Sequence, residues 1–448
     1  MGDQLLIRAY DVEVGDCLYV RIPRARAPGG ERDDFHLLID CGSKGSQSLL
    51  RAAIENLSRE LPEAGTPGKK RLDLLVVTHE HQDHIKGFDP VDFEGLQIGQ
   101  IWLSAAMNDE HPQAEKTLAL GRFATAAMRE VEALGLALSP ELEGLVSLYS
   151  VANEGALDAL KRVLPEASGI ETRYVHAGQS SAELGLPLVG ATIRVLGPEQ
   201  DIDRFYLGEE ADERFQGLVA GAAELGRAST SEIRPTNISA DDFRALRARM
   251  LSNAFAFAEL DSRIKNNTSV VLLIEWAGRR LLFVGDAEWE HEFGEGRQNG
   301  AWNVMWHQRR DLLAAPIDFL KIGHHGSTNS TPWAEGGTAG EPAEILDAIL
   351  PRPEAGEAPT AQAVVSTVRK NYKTIPRCEL LAEIGRRVAN TRNYRDALVA
   401  AGLDPAALPD FHELEEEWLA EPQPLRTDVE TMLGGRGWID IEISAAEP

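Results

Sequence analysis

The stretch LDLLVVTHEHQDHIKG, residues 72–87, is an apolar run that stops at Thr78 and gives way to three histidines and an aspartate. Leu74–Val77 is unbroken by polar residues, the mark of a strand buried on both faces. A helix would scatter His79, His81, Asp83 and His84 around its axis. A loop leaving the end of a strand curls them around one point. Imidazole and carboxylate are good zinc ligands, and the set also suits manganese or iron. A solvated polar turn is the bland alternative, but it does not account for three of the chain's 11 histidines falling within six positions.

Four ligands in one loop already fill a single zinc, and more ligand chemistry follows. Two metals roughly 3.5–4 Å apart would use the whole set and would want a bridging carboxylate from outside the loop. The run LLFVGD, residues 281–286, offers Asp286 at the end of an apolar strand, and DFLKIGHHGS, residues 318–327, ends a further strand in His324 and His325. Three strands that each end in ligands point to one edge of a sheet.

Outward from these motifs, Leu5–Tyr10 and Cys17–Ile22 read as a hairpin and Phe35–Asp40 as a third strand. Gln47–Leu61 has helical spacing, with Leu49, Leu50, Ile54 and Leu57 on one face. Strands are expected at Ile98–Leu103, Ala191–Leu196, Ser269–Trp276, Arg280–Val284, Asp318–Ile322, Ala363–Val368 and Trp438–Ile443. Helices are expected at Ala114–Leu134, Asn153–Leu164 and Pro376–Val388. Residues 203–265 are polar, Ala-rich and helical in spacing, and read as an insertion. Each half of the chain opens with antiparallel strands and continues with alternating strands and helices. That suits an α/β protein of αββα layering, two sheets face to face with helices outside, over residues 1–448 as one domain.

Composition excludes little and agrees with this. The chain has 448 residues, 43% apolar and 26% charged, with a net charge of -26. Such acidity opposes non-specific adsorption to nucleic acid or anionic membrane. No run of about 18 apolar residues suggests a membrane helix, and the first residues do not read as a signal peptide. Cys17, Cys41 and Cys378 lack paired spacing and read as buried apolar residues rather than disulfides or thiolate ligands. A cytoplasmic setting follows as the expectation.

The motif THEHQDH is similar to the HxHxDH signature of the metallo-β-lactamase superfamily, with LLIDCGS, LLFVGDAE and LKIGHHGSTNS as flanking motifs in the matching order. The HHGS form, VEVGDC near the start and Pro376 late in the chain most resemble the soluble metallo-β-lactamase-like domain of ComEC-type competence proteins. The resemblance spans about residues 5–443, interrupted by 203–265 and by a variable helical stretch at 395–424. It implies the four-layer αββα fold and two divalent metal ions, zinc or manganese. By position, His79 and His81 hold the first ion and Asp83 and His84 the second. Asp286 bridges them, and one of His324 and His325, with His325 favoured, completes the second. The other histidine, His324, meets substrate oxygen, and Asp40 and Gly42 shape the floor. Many relatives give the first ion a further histidine. Here only His111 and His176 are available, and the expectation is that water takes that place. His36, His291, His307 and His412 read as surface or packing residues.

A water between two dications loses a proton near neutral pH and becomes a nucleophile, with Asp83 orienting it. Glu288 is expected to hydrogen-bond a site histidine, the alternative being an acid in the first turn of a helix. Three functions compete: a phosphodiesterase or nuclease, a carboxyl-type hydrolase of a lactam, lactone or thioester, and a non-catalytic interaction module. The segment 369–395 decides for the first. It carries eight basic residues against Glu379 and Glu383, with Tyr372 and Tyr394 interleaved. Arg369, Lys370, Tyr372 and Lys373 are therefore the expected substrate-binding residues, for a small phosphate-bearing molecule or single-stranded nucleic acid.

Overall fold

The computed structural model describes residues 3–27, 31–133, 135, 138–149, 151–186, 188–209, 240–333, 340–369, 375–405 and 418–446. Its strands form two seven-stranded sheets. The first has the order β14-β1-β2-β3-β4-β5-β6, where β1 is Gln4–Tyr10, β2 Cys17–Arg26, β3 Asp33–Cys41, β4 Lys70–Val77, β5 Leu96–Ser104, β6 Thr172–Val175 and β14 Trp438–Ser444. The second has the order β12-β13-β11-β10-β9-β8-β7, where β7 is Ala191–Gly197, β8 Val271–Trp276, β9 Arg279–Phe283, β10 Phe319–Lys321, β11 Gln362–Val365, β12 Thr391–Arg392 and β13 Gln423–Arg426.

The layering follows from which face each strand makes apolar. Leu5, Ile7, Val20, Leu37, Leu74 and Val76 of the first sheet meet Ile193, Leu272, Ile274, Leu281 and Phe283 of the second in one central core. The alternate residues of the first sheet, among them Leu38, Leu75 and Val77, pack against Leu50, Ile54 and Leu57 of the helix Gln47–Glu60. The outer face of the second sheet is covered by Trp302 and Met305 of the helix Ala301–Gln308 and by Leu380, Leu381 and Ile384 of the helix Cys378–Gly385. The architecture is the αββα sandwich. Strands β3, β4 and β5 run parallel in the first sheet and β9, β10 and β11 in the second. Parallel strands share one end, so their outgoing loops collect at one edge of the sandwich.

Several elements depart from the sequence expectation: Asp83 and His84 stand in one helical turn, Gln82–Ile85, where an open loop is expected, and the strand expected over Ala363–Val368 is Gln362–Val365. The helix expected over Asn153–Leu164 runs only from Val151 to Asp158 and widens into a π turn over Ala159–Val163 before a last turn, Leu164–Ser168. Pro165 lacks the N–H that would continue the regular ladder. The helix expected over Pro376–Val388 runs from Cys378 to Gly385, with Arg377 extended ahead of it and its N–H donating to the Gly326 carbonyl, 2.7 Å away. Of the 203–265 stretch, Asp203–Leu207 is a π turn and Ala240–Asn267 a long helix, while 210–239 lie outside the described residues. That helix pairs with the helix Glu115–Ala133, Phe257 and Ile264 meeting Leu120. In the 395–424 stretch the helix Tyr394–Ala400 closes a small cluster with Leu419 and Val429. No helix among the described residues is long and apolar enough to cross a membrane.

His36 is a packing residue, as expected, and a costly one to protonate. Its backbone N–H donates to Asp73, the one polar side chain of Leu72–Val77, at 2.9 Å, and its Nδ1 lies 2.8 Å from the Tyr19 hydroxyl. Burial, aided by the Arg71 charge, pushes its pKa from 6.5 down to about 4. The unfolded chain therefore binds a proton that the folded chain refuses between those values. Stability attributable to this group is full above pH 6.5 and is lost as pH falls towards 4, by about 3 kcal/mol in all. Urea unfolding of wild type and His36→Phe at pH 7 and pH 4.5 should show the variant losing less stability on acidification. Equal losses would show that His36 does not titrate on unfolding.

Candidate metal centre

The loops that leave β4, β9 and β10 meet at the shared edge. The end of β3 lies beneath them, and its Asp40 sets their positions. The Asp40 carboxylate accepts from Thr78 N–H and Thr78 Oγ1, each at 2.7 Å, and from His84 Nδ1 at 2.8 Å. Asp40 holds this place with a left-handed backbone, φ 56°, a conformation that costs energy for a side-chain-bearing residue. Gly42 lets the turn after β3 press against the histidine loop. A Cβ there would stand 2.2 Å from the backbone nitrogen of His84. Gly285, at φ 54°, similarly turns β9 towards Thr78.

Each histidine is oriented through one ring nitrogen and presents the other. His84 gives Nδ1 to Asp40, and its Nε2 lies 3.2 Å from Asp286 Oδ1. His325 gives Nδ1 to the Ser366 carbonyl at 3.1 Å, and its Nε2 lies 3.2 Å from Asp83 Oδ2. His79 Nδ1 faces the hydroxyls of Thr78 and Ser269 at 3.1 and 3.3 Å. Its Nε2 lies 3.0 Å from His81 Nδ1 and 3.9 Å from Asp286 Oδ2. Fixing the far nitrogen in this way sets the tautomer and aims the lone pair of a metal-binding imidazole.

The donors gather into two overlapping sets that share Asp286. One is compact: Asp83, His84, Asp286 and His325 are all buried, with ligand atoms within 4.8 Å of one another. The other is looser: His79 lies 3.9 Å from the second oxygen of Asp286, and His81 stands beside His79. His111 and His176 lie apart. His111 Nδ1 accepts the Gln113 N–H at 3.1 Å, and His176 Nδ1 donates to the Ala177 carbonyl at 3.0 Å. The structure puts His325 in the compact set and His324 outside it, where its side chain keeps 23% of its exposure. Both residues have a left-handed backbone, at φ 41° and 54° for His324 and His325.

Electrostatics and unmet bonds say what the compact set fits. Burial pushes His79 well down and His81 to about 3, which keeps both rings neutral and able to donate a lone pair. Burial would do the same to His84, but the Asp286 and Asp40 carboxylates outweigh it and raise that ring. Burial would raise Asp83 and Asp286 too. Lys44 and His325 hold Asp83 well below the usual carboxylate range, and His84 and His324 hold Asp286 there. Asp83 Oδ1 is fully buried without a hydrogen-bond partner, and His84 Nε2, although 3.2 Å from Asp286 Oδ1, makes no aligned hydrogen bond to it. Orphaned buried atoms of this kind carry a large desolvation cost. A divalent cation among the four side chains satisfies both.

Glu288 is not in a helix; the next one begins at Ala301. Its carboxylate lies 3.1 Å from His324 Nδ1 and accepts from Asn266 and Asn267 at 2.9 and 3.4 Å. The last turn of the helix Ala240–Asn267 thus holds Glu288, which holds His324. Ser262 of the same helix brings its hydroxyl to 3.4 Å from His81 Nε2. Lys44 Nζ lies 3.3 Å from Asp83 Oδ2. None of these four residues is legible as a site residue in the sequence.

The basic segment folds otherwise than its charge count suggests. Arg369 is buried, donating to the Pro376 carbonyl and to Cys378 Sγ, and so is placed for packing, not for substrate. Arg387 bonds Glu383, Asp347 and the Leu350 carbonyl, Arg386 pairs with Glu421, and Arg392 pairs with Glu430. Tyr394 is fully buried, with its hydroxyl accepting the Arg426 N–H at 2.7 Å. Acids distant in sequence neutralise the cations, which a count along 369–395 does not include. Lys370, Tyr372 and Lys373 lie outside the described residues.

Residues 30–94 match the family model of the metallo-beta-lactamase superfamily. That stretch contains β3, the Asp40–Gly42 turn, β4 and the whole histidine loop. No curated protein matches the chain. The matched family and the buried histidine–aspartate cluster together suggest a metal-dependent hydrolase.

Purified protein should carry one to two equivalents of zinc or manganese by elemental analysis. Asp286→Asn and His325→Ala should each lower that content, whereas His324→Ala should retain it. Metal lost from His324→Ala and kept in His325→Ala would reverse the assignment of the two.

Proposed function

We propose that this chain is a metal-dependent hydrolase of phosphodiesters, acting on a small phosphate-bearing molecule or on single-stranded nucleic acid, with two divalent ions, zinc or manganese. By position, Asp83, His84, Asp286 and His325 would hold one ion, and His79 and His81, with Asp286, would hold the other. When bound, the ions supply Lewis acidity and acidify coordinated water.

The observation that carries this reading is a pair of proton-bearing groups beside the ligands: Lys44 at Asp83 and His324 close to Asp286. A lactam or neutral ester brings no charge to meet additional cations. A phosphodiester brings one and gathers more on its oxygens in the transition state. Lys44 is placed to neutralise a non-bridging phosphoryl oxygen. Burial favours the neutral His324 ring, but Asp286 and Glu288 outweigh it and raise the pKa. With Nδ1 held by Glu288, the Nε2 proton is the one free to move to the leaving oxygen. Water adds its oxygen to phosphorus and releases one proton to solvent, the bond to the leaving oxygen breaks as His324 delivers its Nε2 proton there, and a proton from solvent restores His324. Asp83 holds the attacking side, and the end of the helix Ala240–Asn267 limits access of bulk water.

Tested side by side with zinc or manganese loaded, a bis-aryl phosphate should be cleaved faster than an aryl ester or a β-lactam. The opposite order makes this a carboxyl-type hydrolase. The proton-donor role gives a second expectation. General acid catalysis contributes roughly 10²–10⁴-fold, and most where the leaving group is poor. His324→Ala should therefore slow an alkyl-leaving phosphodiester far more than a p-nitrophenyl one. Equal losses on both would remove His324 from that role.

A further inference from the structure

Beside His79 the described structure opens into a cavity of about 300 Å³. Its inner end is His79, Ser104 and Thr268. Its two walls are the facing helices Glu115–Ala133 and Ala240–Asn267. Met107, Leu118 and Ile264 make much of the lining apolar. The size is at the lower end of small-molecule sites. It takes one terminal group of a substrate rather than a run of nucleotides.

The charges around this cavity do not simply cancel. Lys265 lies 2.7 Å from Asp261 and 3.0 Å from Glu80, and Asp261 also accepts from the Tyr149 hydroxyl at 2.8 Å. Arg129 pairs with Glu154, and Asp109 with Lys161 at 2.8 Å. Each of these lining charges meets an opposite charge in the protein, with Lys265 shared between Asp261 and Glu80. Arg122 differs. It lines the same cavity from the Glu115–Ala133 helix, its side chain is exposed, and it has no carboxylate partner among the described residues. One end of the cavity is therefore His79, the middle is apolar, and a guanidinium with no carboxylate partner among the described residues stands at the exposed end.

We propose that this cavity is the specificity pocket for the part of the substrate distal to the scissile bond, and that it selects a flat or apolar group ending in one anionic group, which Arg122 holds. The proposal rests on the phosphodiester reading for the reacting end of the substrate. The helix Ala240–Asn267 then has two duties: Asn266 and Asn267 support Glu288, and Ile264 walls the pocket.

The test uses two p-nitrophenyl phosphodiesters on the metal-loaded full chain, one esterified with benzyl alcohol and one with 4-carboxybenzyl alcohol. The wild type should show a KM about fivefold lower for the carboxylated substrate, the scale of a partly exposed charge-assisted contact. Arg122→Ala should bring the ratio of the two KM values to near one, and Arg122→Glu should invert it. Leu118→Trp should raise KM for both benzyl diesters but not for methyl p-nitrophenyl phosphate, which does not reach the pocket. A wild type that cleaves both diesters without preference, or a ratio that Arg122→Ala leaves unchanged, overturns the pocket assignment. Calorimetric titration with benzylphosphonate and 4-carboxybenzylphosphonate separates this failure from failure of the function. Discrimination in binding that depends on Arg122, in a protein that cleaves no phosphodiester, keeps the pocket and overturns the reaction class. Binding of neither phosphonate overturns the pocket.

Discussion

The carboxylate of Asp40 is the interaction on which the site depends. It is fully buried, and it ties the end of β3 to Thr78 at the end of β4 and to the outer nitrogen of His84. A buried charge is tolerable only when its hydrogen bonds are met, and here three donors meet it. Two of them come from the residue at which the strand gives way to the histidine loop. The loop cannot drift from the sheet without leaving that charge unmatched. A similar constraint recurs one layer deeper. Lys321 of β10 is buried in an ion pair with Asp16, beside the start of β2, and so joins the two sheets under the site. Breaking such a pair by removing one partner costs about 3–5 kcal/mol.

The parallel runs β3–β5 and β9–β11 turn these local ties into a geometry. Their shared ends bring Asp83, His84, Asp286 and His325, side chains that could hold a metal, to one place although the first two lie more than two hundred positions from the others in the chain. The strain at Asp40, His324 and His325, all in the left-handed region, collects at that same place. The surrounding packing holds these residues there, as it does where a backbone is shaped for a ligand instead of for its own comfort.

The long helix Ala240–Asn267 changes how the 203–265 stretch should be regarded. Its last turn reaches His81 through Ser262, Glu80 through Lys265 and Glu288 through the two asparagines. It also packs along the helix Glu115–Ala133 through Phe257 and Ile264. A stretch that reads as an addition to the fold therefore supplies part of the wall and support of the site. Changes in it should be felt in substrate choice before they are felt in the stability of the sandwich.

The sequence by itself determined the layering and the ligand types. Buried strands and the outer helix reveal themselves through period and apolarity, which are local, and the run THEHQDH has no other economical reading. It also located Asp286 and the His324–His325 pair, because each directly follows an apolar strand. Tertiary structure alone decided which of those two histidines joins the cluster, since adjacent residues differ only in the direction their backbone gives the side chain. It alone brought Lys44 to Asp83 and Asn266 and Asn267 to Glu288, contacts between residues 21 to 39 positions apart with no shared motif. It also removed Arg369 from the site. Charge summed along a segment ignores partners that folding supplies, and the acids at Asp347, Glu421 and Glu430 neutralise cations that look unopposed in the chain. Patterns carried by neighbouring residues are legible in sequence, whereas a side chain's partner depends on which distant strand end or helix turn is folded against it.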